Sequence, residues 1–432
     1  MSSATYSTLL RAHGAAAFFL TAAVGRVGIA MTSLGIVWLV HARTGSYATA
    51  GLVTGAFAVA EAVAGPQLAR LADRFGQTRV LPPALLAHAG AVTTLLGLVA
   101  AGTPDWLMTA GGVLAGATIP QLGALSSARW AALLRDGRAT ALPTAFALES
   151  LANELAYLAG PVLVSILGAS GYPAAGTVLA AVLVVGGGMC FAAQRRTAPE
   201  APVAAGGHRA GRGLLRPGFA VLAGVNLAIG AFFGAMQISV TAFALEHGAA
   251  GIAAALFTVS SCASLLAGWL YGLRQWRTVL RVQLAVAAGG LAIGCLPLLL
   301  ARSPFELGSG LALTGLAVPL ILILCSLLAE ASVHRAVLTE AFAWLNSASA
   351  AGSAGAAAAT GWAVDTFGTH GGLAVAAIAA GAMAVLALTG LRALRVPQQP
   401  RSPQATPASD PSTSSGQWPR RAEQTARTPP GR

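Results

Sequence analysis

The sequence predicts an all-α protein that crosses a membrane many times, on three observations. Of its 432 residues, 56% are hydrophobic and only 9% charged, with a mean hydropathy of +0.70; a soluble domain devotes about a quarter of its residues to charge. The apolar residues come in runs of about twenty or more, the length that ~30 Å of hydrocarbon demands of a helix. The arginines, finally, fall between alternate runs. In water such a chain would expose large apolar patches and aggregate.

In the first half the runs cover about 14–40, 47–69, 80–101, 105–128, 140–168 and 172–193. In the second half they cover about 217–245, 249–273, 279–301, 307–329, 337–364 and 371–391. They are far too long for barrel strands, so they read as twelve transmembrane helices. The first run follows Arg11 as a signal peptide would. It continues past Arg26 to about Val40, however, and its removal would leave an odd number of spans with the arginine bias inverted. It is therefore kept as the first helix.

All 26 basic residues are arginine, so lysine chemistry of the Schiff-base or P-loop kind is excluded. With the N-terminus in the cytoplasm, 23 of them fall on that side. They run from Arg11 through Arg70, Arg74 and Arg79, then Arg129, Arg135 and Arg138, to the central loop and the C-terminal tail. Only Arg43 and Arg302 fall on the far side, and Arg26 lies within the first span. This is the positive-inside rule, and it puts both termini in the cytoplasm of a multi-pass protein of a bacterial inner membrane. The net charge of +12 is spread over short clusters between spans, which argues against a nucleic-acid partner.

The organisation read from these runs is an N-terminal six-helix half over 1–193, a cytoplasmic linker over 194–216 and a C-terminal six-helix half over 217–395. Residues 396–432 are Pro, Ser, Thr, Gln and Arg, which cannot bury a core, and are expected to form a disordered cytoplasmic tail.

The connector after the second span reads Ala69-Arg70-Leu71-Ala72-Asp73-Arg74-Phe75-Gly76-Gln77-Thr78-Arg79. It resembles the signature loop between helices two and three of the major facilitator superfamily, G-x-x-x-D-R/K-x-G-x-R/K-R/K, with Ala69 in place of the opening glycine. Asp73, Arg74, Gly76 and Arg79 match. Gly76 permits a turn with φ > 0, and Asp73 can sit at a helix end and pair with a basic residue across the bundle. A faint echo, without the acid, stands at Gly268-Trp269-Leu270-Tyr271-Gly272-Leu273-Arg274. The resemblance covers about residues 14–395. It implies twelve helices in two six-helix halves, secondary transport by alternating access, and bacterial drug or metabolite efflux-like members as the nearest kin. It also implies a functional monomer. Two family patterns are incomplete. Gly160-Pro161, a packing and bending pair in the fifth helix, is followed by Val162-Leu163-Val164-Ser165 rather than the antiporter continuation; the mid-helix-four arginine is missing, since Arg129 falls at the cytoplasmic end.

Charges within the spans are the candidate site. Arg26 lies near the middle of the first helix and Glu61 well inside the second, while Glu149, Asn153 and Glu154 lie in the fifth. Each buried charge costs about 2.5–3.5 kcal/mol to insert, so these must pair or face water. At 100° per residue Glu149 and Asn153 share a face, with Glu154 about a quarter turn further round and Glu149 roughly mid-bilayer. An Arg26–carboxylate pair is the expected contact. It can bind substrate or carry a proton, or it can be a permanent ion pair that fixes packing.

Elsewhere, Glu340 starts the eleventh helix, where the helix N-terminus suffices to hold it. Ser347–Gly361 is a small-residue run suited to close helix contact, and Pro120, Pro161 and Pro319 are candidate bends. Cys190, Cys262, Cys295 and Cys325 form no CxxC pair, which gives neither a metal site nor a disulfide framework. No HExxH, nucleophile elbow or cofactor loop is present, so an enzyme is not expected, nor a cofactor. The expectation is a transporter of a small organic solute, coupled to protons and running as an efflux antiporter. The alternative is a non-transporting membrane sensor or binding protein on the same fold.

Overall fold

In a computed structural model, the described residues are 6–394 apart from 13, 136–137, 200–213, 215, 248–250, 275 and 277. They are helical with short connections. Tyr6–Leu10 (α1) leads into Ala15–Thr44 (α2), Tyr47–Phe75 (α3) and Gln77–Ala100 (α4). Asp105–Thr118 (α5) and Leu122–Leu133 (α6) follow, then Leu142–Ala169 (α7) and Pro173–Ala193 (α8). Beyond the linker come Pro217–Glu246 (α9), Gly251–Leu273 (α10), Leu280–Cys295 (α11), Pro304–Ser332 (α12) and Leu338–Thr389 (α13). All of these lie in one unit, Met1–Val396. The tail expected over 396–432, and most of the linker, fall outside the described residues.

Among the described residues, ten helices are long and apolar enough to cross a membrane. Two places depart from the expected runs. The run at 105–128 is split, because Ile119 turns extended (φ −70, ψ 125) before Pro120, which has no N–H to continue the helical ladder. The runs at 337–364 and 371–391 join into a single 52-residue element. Its only non-helical residue is Gly368 (φ 68, ψ −169), a conformation that favours glycine. Pro161 and Pro319 stay inside their helices.

Small residues set the closest helix contacts, as they do where apolar driving force between helices is absent. A Cβ at Gly230 of α9 would run into the Ser349 carbonyl oxygen of α13, and one at Gly352 into that of Leu227. This is the small-residue run read from the sequence, and it binds α9 to α13. Gly160 does the same for α7: a Cβ there would lie 2.9 Å from that of Ala30 in α2.

Candidate functional site

Arg26 of α2 and Glu149 of α7 form an ion pair with both side chains buried. The guanidinium Nη1 also donates to the Glu149 backbone carbonyl at 3.2 Å. Ser126 of α6 donates its hydroxyl to the other carboxylate oxygen at 2.6 Å. Gly123, one turn earlier on α6, lies beside the guanidinium; a Cβ there would stand 3.7 Å from Arg26 Nε, an ordinary contact. Three helices therefore build this group, and Arg26 Nε remains buried without a partner. At 1.5 Å per residue, Arg26 is about 17 Å from the start of α2 and Glu149 about 11 Å from the start of α7. Glu149 is thus closer to the arginine-rich end than the sequence count places it.

The other in-span groups stand apart from this pair. Glu61, at the midpoint of α3, accepts from Gln121 Nε2 at 3.3 Å, and Gln121 Oε1 accepts from Asn346 of α13 at 3.3 Å. Tyr157 of α7 lies near Glu61 and its side chain is 60% exposed. Glu154 faces Ser261 and Ser264 of α10. Neither Glu61 nor Glu154 has a basic partner among the described residues. Asn153, one turn from Glu149, is exposed and makes no hydrogen bond among the described residues.

A second set of contacts ties the arginine-rich end together. Gly76 takes the positive φ expected of it (φ 92), and its N–H closes α3 on Ala72 O at 2.9 Å. Among the described residues Asp73 has no basic partner, contrary to expectation. Its Oδ2 instead accepts the backbone N–H of Glu340 at 2.9 Å, at the first turn of α13, where free N–H groups and the helix dipole favour an anion. The exposed Arg70 faces the buried Glu340 at 4.0 Å. Arg74 lies over the Phe75 ring, and Arg79 is exposed. Nearby, Thr144 of α7 donates to Gly272 O of α10 at 2.7 Å. Tyr6 donates to Trp269 O at 2.9 Å, and burial pushes its phenol up to about 12. Gly272, part of the echo of the signature loop, admits the Tyr6 hydroxyl where any Cβ would collide.

Two buried groups were not read from the sequence. Arg129, counted there with the cytoplasmic loop, is fully buried in α6. Its Nε donates to Gln77 Oε1 at 2.8 Å, its Nη1 to Gln194 O and Thr197 Oγ1, and its guanidinium lies 3.7 Å from the Phe191 ring centroid. His88, in mid-α4, has Nδ1 3.2 Å from Ala115 O, and its Nε2 is buried without a partner. No signal short of the fold reveals either, since both depend on which way a helix is rotated. Among the described residues no group of His, Cys, Asp and Glu could hold a metal ion, and all four cysteines are free.

With this geometry in place, the chain can be compared with known proteins. The Major Facilitator Superfamily model matches residues 18–305. This chain is a member of that superfamily. Its fold is similar to the human organic anion transporter MFSD10 (TETRAN), at 14% identity over 88% of this chain and 98% of that one, TM-score 0.63. A bacterial homologue of the iron transporter ferroportin in an outward-facing state gives 12% identity, coverage of 87% and 98%, and TM-score 0.70. The superfamily transporter FucP, in its outward conformation, gives 14%, 86% and 97%, and 0.64. No curated protein matches the sequence significantly. The superfamily membership and these transporter folds point to a multi-pass membrane transporter of small molecules rather than an enzyme.

Proposed function

We propose that the chain is a secondary active transporter that expels a small organic solute across the bacterial cytoplasmic membrane, driven by proton entry through alternating access. The split helix α5/α6 counts as one span and α13 as two joined at Gly368, which gives twelve spans, six on either side of a linker at 194–216. The arginine-rich end, with both termini, is the cytoplasmic face.

The observation that carries the reading is the arrangement of in-span charge. Arg26 is neutralised by Glu149, whereas Glu61 and Glu154 have amide and hydroxyl neighbours and no cation among the described residues. A carboxylate at that depth without a counter-charge is costly, so each such group takes up a proton or a cationic ligand when its surroundings dry out. It releases the proton when its cavity opens to water. Two groups whose protonation depends on which face is open are what proton-coupled alternating access needs. The contacts of Asp73, Thr144 and Tyr6 act in this reading as the cytoplasmic gate, here closed.

Purified protein in proteoliposomes, with an imposed pH gradient and a panel of radiolabelled organic cations, anions and neutral solutes, tests the proposal. At least one solute should move against its gradient, and a protonophore should collapse that movement. Folded protein that supports only downhill or no flux across the panel would contradict proton-coupled transport.

A further inference from the structure

Gln121 occupies an unusual place. It stands just after the α5/α6 break, where Ile119 and Pro120 interrupt the helix and Leu122 N returns to Pro120 O at 2.9 Å. Its side chain reaches out of this break to Gly65 of α3, whose missing Cβ makes the seat; a Cβ there would lie 3.0 Å from Gln121 Nε2. A cavity of about 20 Å³, bounded by Ala69, Ala72, Pro120 and Leu125, lies beside it and is large enough for one water or a turning amide. The amide nitrogen donates to Glu61 and the amide oxygen accepts from Asn346, so one side chain joins a carboxyl of α3 to α13.

We infer that Gln121 is an amide relay, a positioning residue that makes the contact with Asn346 depend on whether Glu61 carries a proton. The inference rests on the proton-coupled reading above. Ionised, Glu61 only accepts hydrogen bonds. It holds the amide nitrogen toward itself with a charge-assisted bond, and the amide oxygen is thereby aimed at Asn346. Protonated, Glu61 offers an O–H of its own. The amide can then turn its oxygen to Glu61 and present its amino group to Asn346, so the contact survives only if the exposed Asn346 amide turns as well to offer its oxygen. The contact is weakened, and with it one tie between α13 and the N-terminal helices in the state seen here. The groups facing Glu61 are few. Among the described residues Tyr157 of α7 is the titratable group near it, and Arg26 is engaged by Glu149.

The test needs no substrate. Trp106→Cys at the start of α5 and Phe305→Cys at the start of α12, both exposed, carry spin labels in a background with the exposed Cys190 and Cys262 replaced by serine. Interlabel distances are measured in nanodiscs from pH 8 to pH 5. The native background should show a pH-driven redistribution between two distance populations, with their ratio changing about tenfold or more. Gln121→Leu should keep both populations yet hold their ratio within about twofold over the same range. Asn346→Ala, at an exposed side chain that leaves the Glu61–Gln121 bond intact, should do the same and covers the case in which Gln121→Leu does not fold. A native protein that ignores pH sinks the proton-coupled reading and the relay together. A native protein that responds, with either variant responding equally, sinks the relay alone.

Discussion

Removing Glu149 while keeping Arg26 should be among the most damaging single changes in this chain, and removing both should be far milder. Both side chains are less than a tenth exposed, and the guanidinium already has one buried nitrogen without a partner. Glu149→Gln takes away the charge that neutralises Arg26, and Arg26→Met leaves the carboxylate with only the Ser126 hydroxyl. Breaking a buried pair from one side costs about 3–5 kcal/mol, whereas replacing both partners with groups of similar volume is neutral or gains about 1–4 kcal/mol. The double variant Arg26→Met/Glu149→Gln should therefore recover most of the loss, with a coupling energy of about 6–10 kcal/mol on these figures, beyond the about 0.5–3 kcal/mol of ordinary contacting residues. Reversible unfolding in mixed detergent micelles, followed by circular dichroism for the four members of the cycle, reads this directly. Single variants that each cost under about 1 kcal/mol, or losses that simply add, would refute the picture of a dry, mutually dependent pair. The same double variant separates the two roles of the pair: recovered stability without recovered transport assigns it to function, and recovery of both assigns it to packing.

Three further outcomes follow from the geometry. Asp73→Ala should remove the acceptor at the first turn of α13, worth about 1 kcal/mol by analogy with lost N-caps, and raise maleimide labelling of a cysteine placed at the buried Ala147 about fivefold; unchanged labelling would remove Asp73 from the gate. Gly76→Ala should lower stability by about 1–3 kcal/mol because φ 92 with ψ 138 lies in a region that glycine essentially alone visits; an unchanged thermal midpoint would contradict that. The Tyr6 phenol is held well above its ordinary value, so the folded state binds its proton more tightly than the unfolded chain. That stabilisation is complete below pH 10 and lost as pH rises toward 12. Tyr6→Phe should flatten the fall in stability across that window, and an unchanged slope would contradict the burial of this group.

Much of the architecture could be read in the residues because it follows from solvent. The apolar runs recur as helices, the small-residue run at Ser347–Gly361 recurs as the α9–α13 contact, and Gly76 adopts the positive φ its place demanded. The Arg26–Glu149 pair was legible too, since a charge in oil must find its opposite. What stayed hidden depends on rotation and on breaks. Asn153 shares a helical face with Glu149 by arithmetic, yet the face is wide enough for one to turn inward and the other out. The burial of Arg129 is invisible because nothing in its spacing separates a loop arginine from one capped by Gln77, Gln194 and Phe191. The bridge from Glu61 through Gln121 to Asn346 spans residues 285 apart in sequence, and only the break at Pro120 lets it form.

Gradient-driven flux in proteoliposomes, native protein against Glu61→Gln and Glu154→Gln for whichever solute of the panel is driven, bears most directly on the claim that in-span charge couples protons to transport. Gradient-driven movement should vanish in at least one of the two variants while solute exchange at equal pH partly survives. Driven flux at the native rate in both variants, each of native fold, would contradict it.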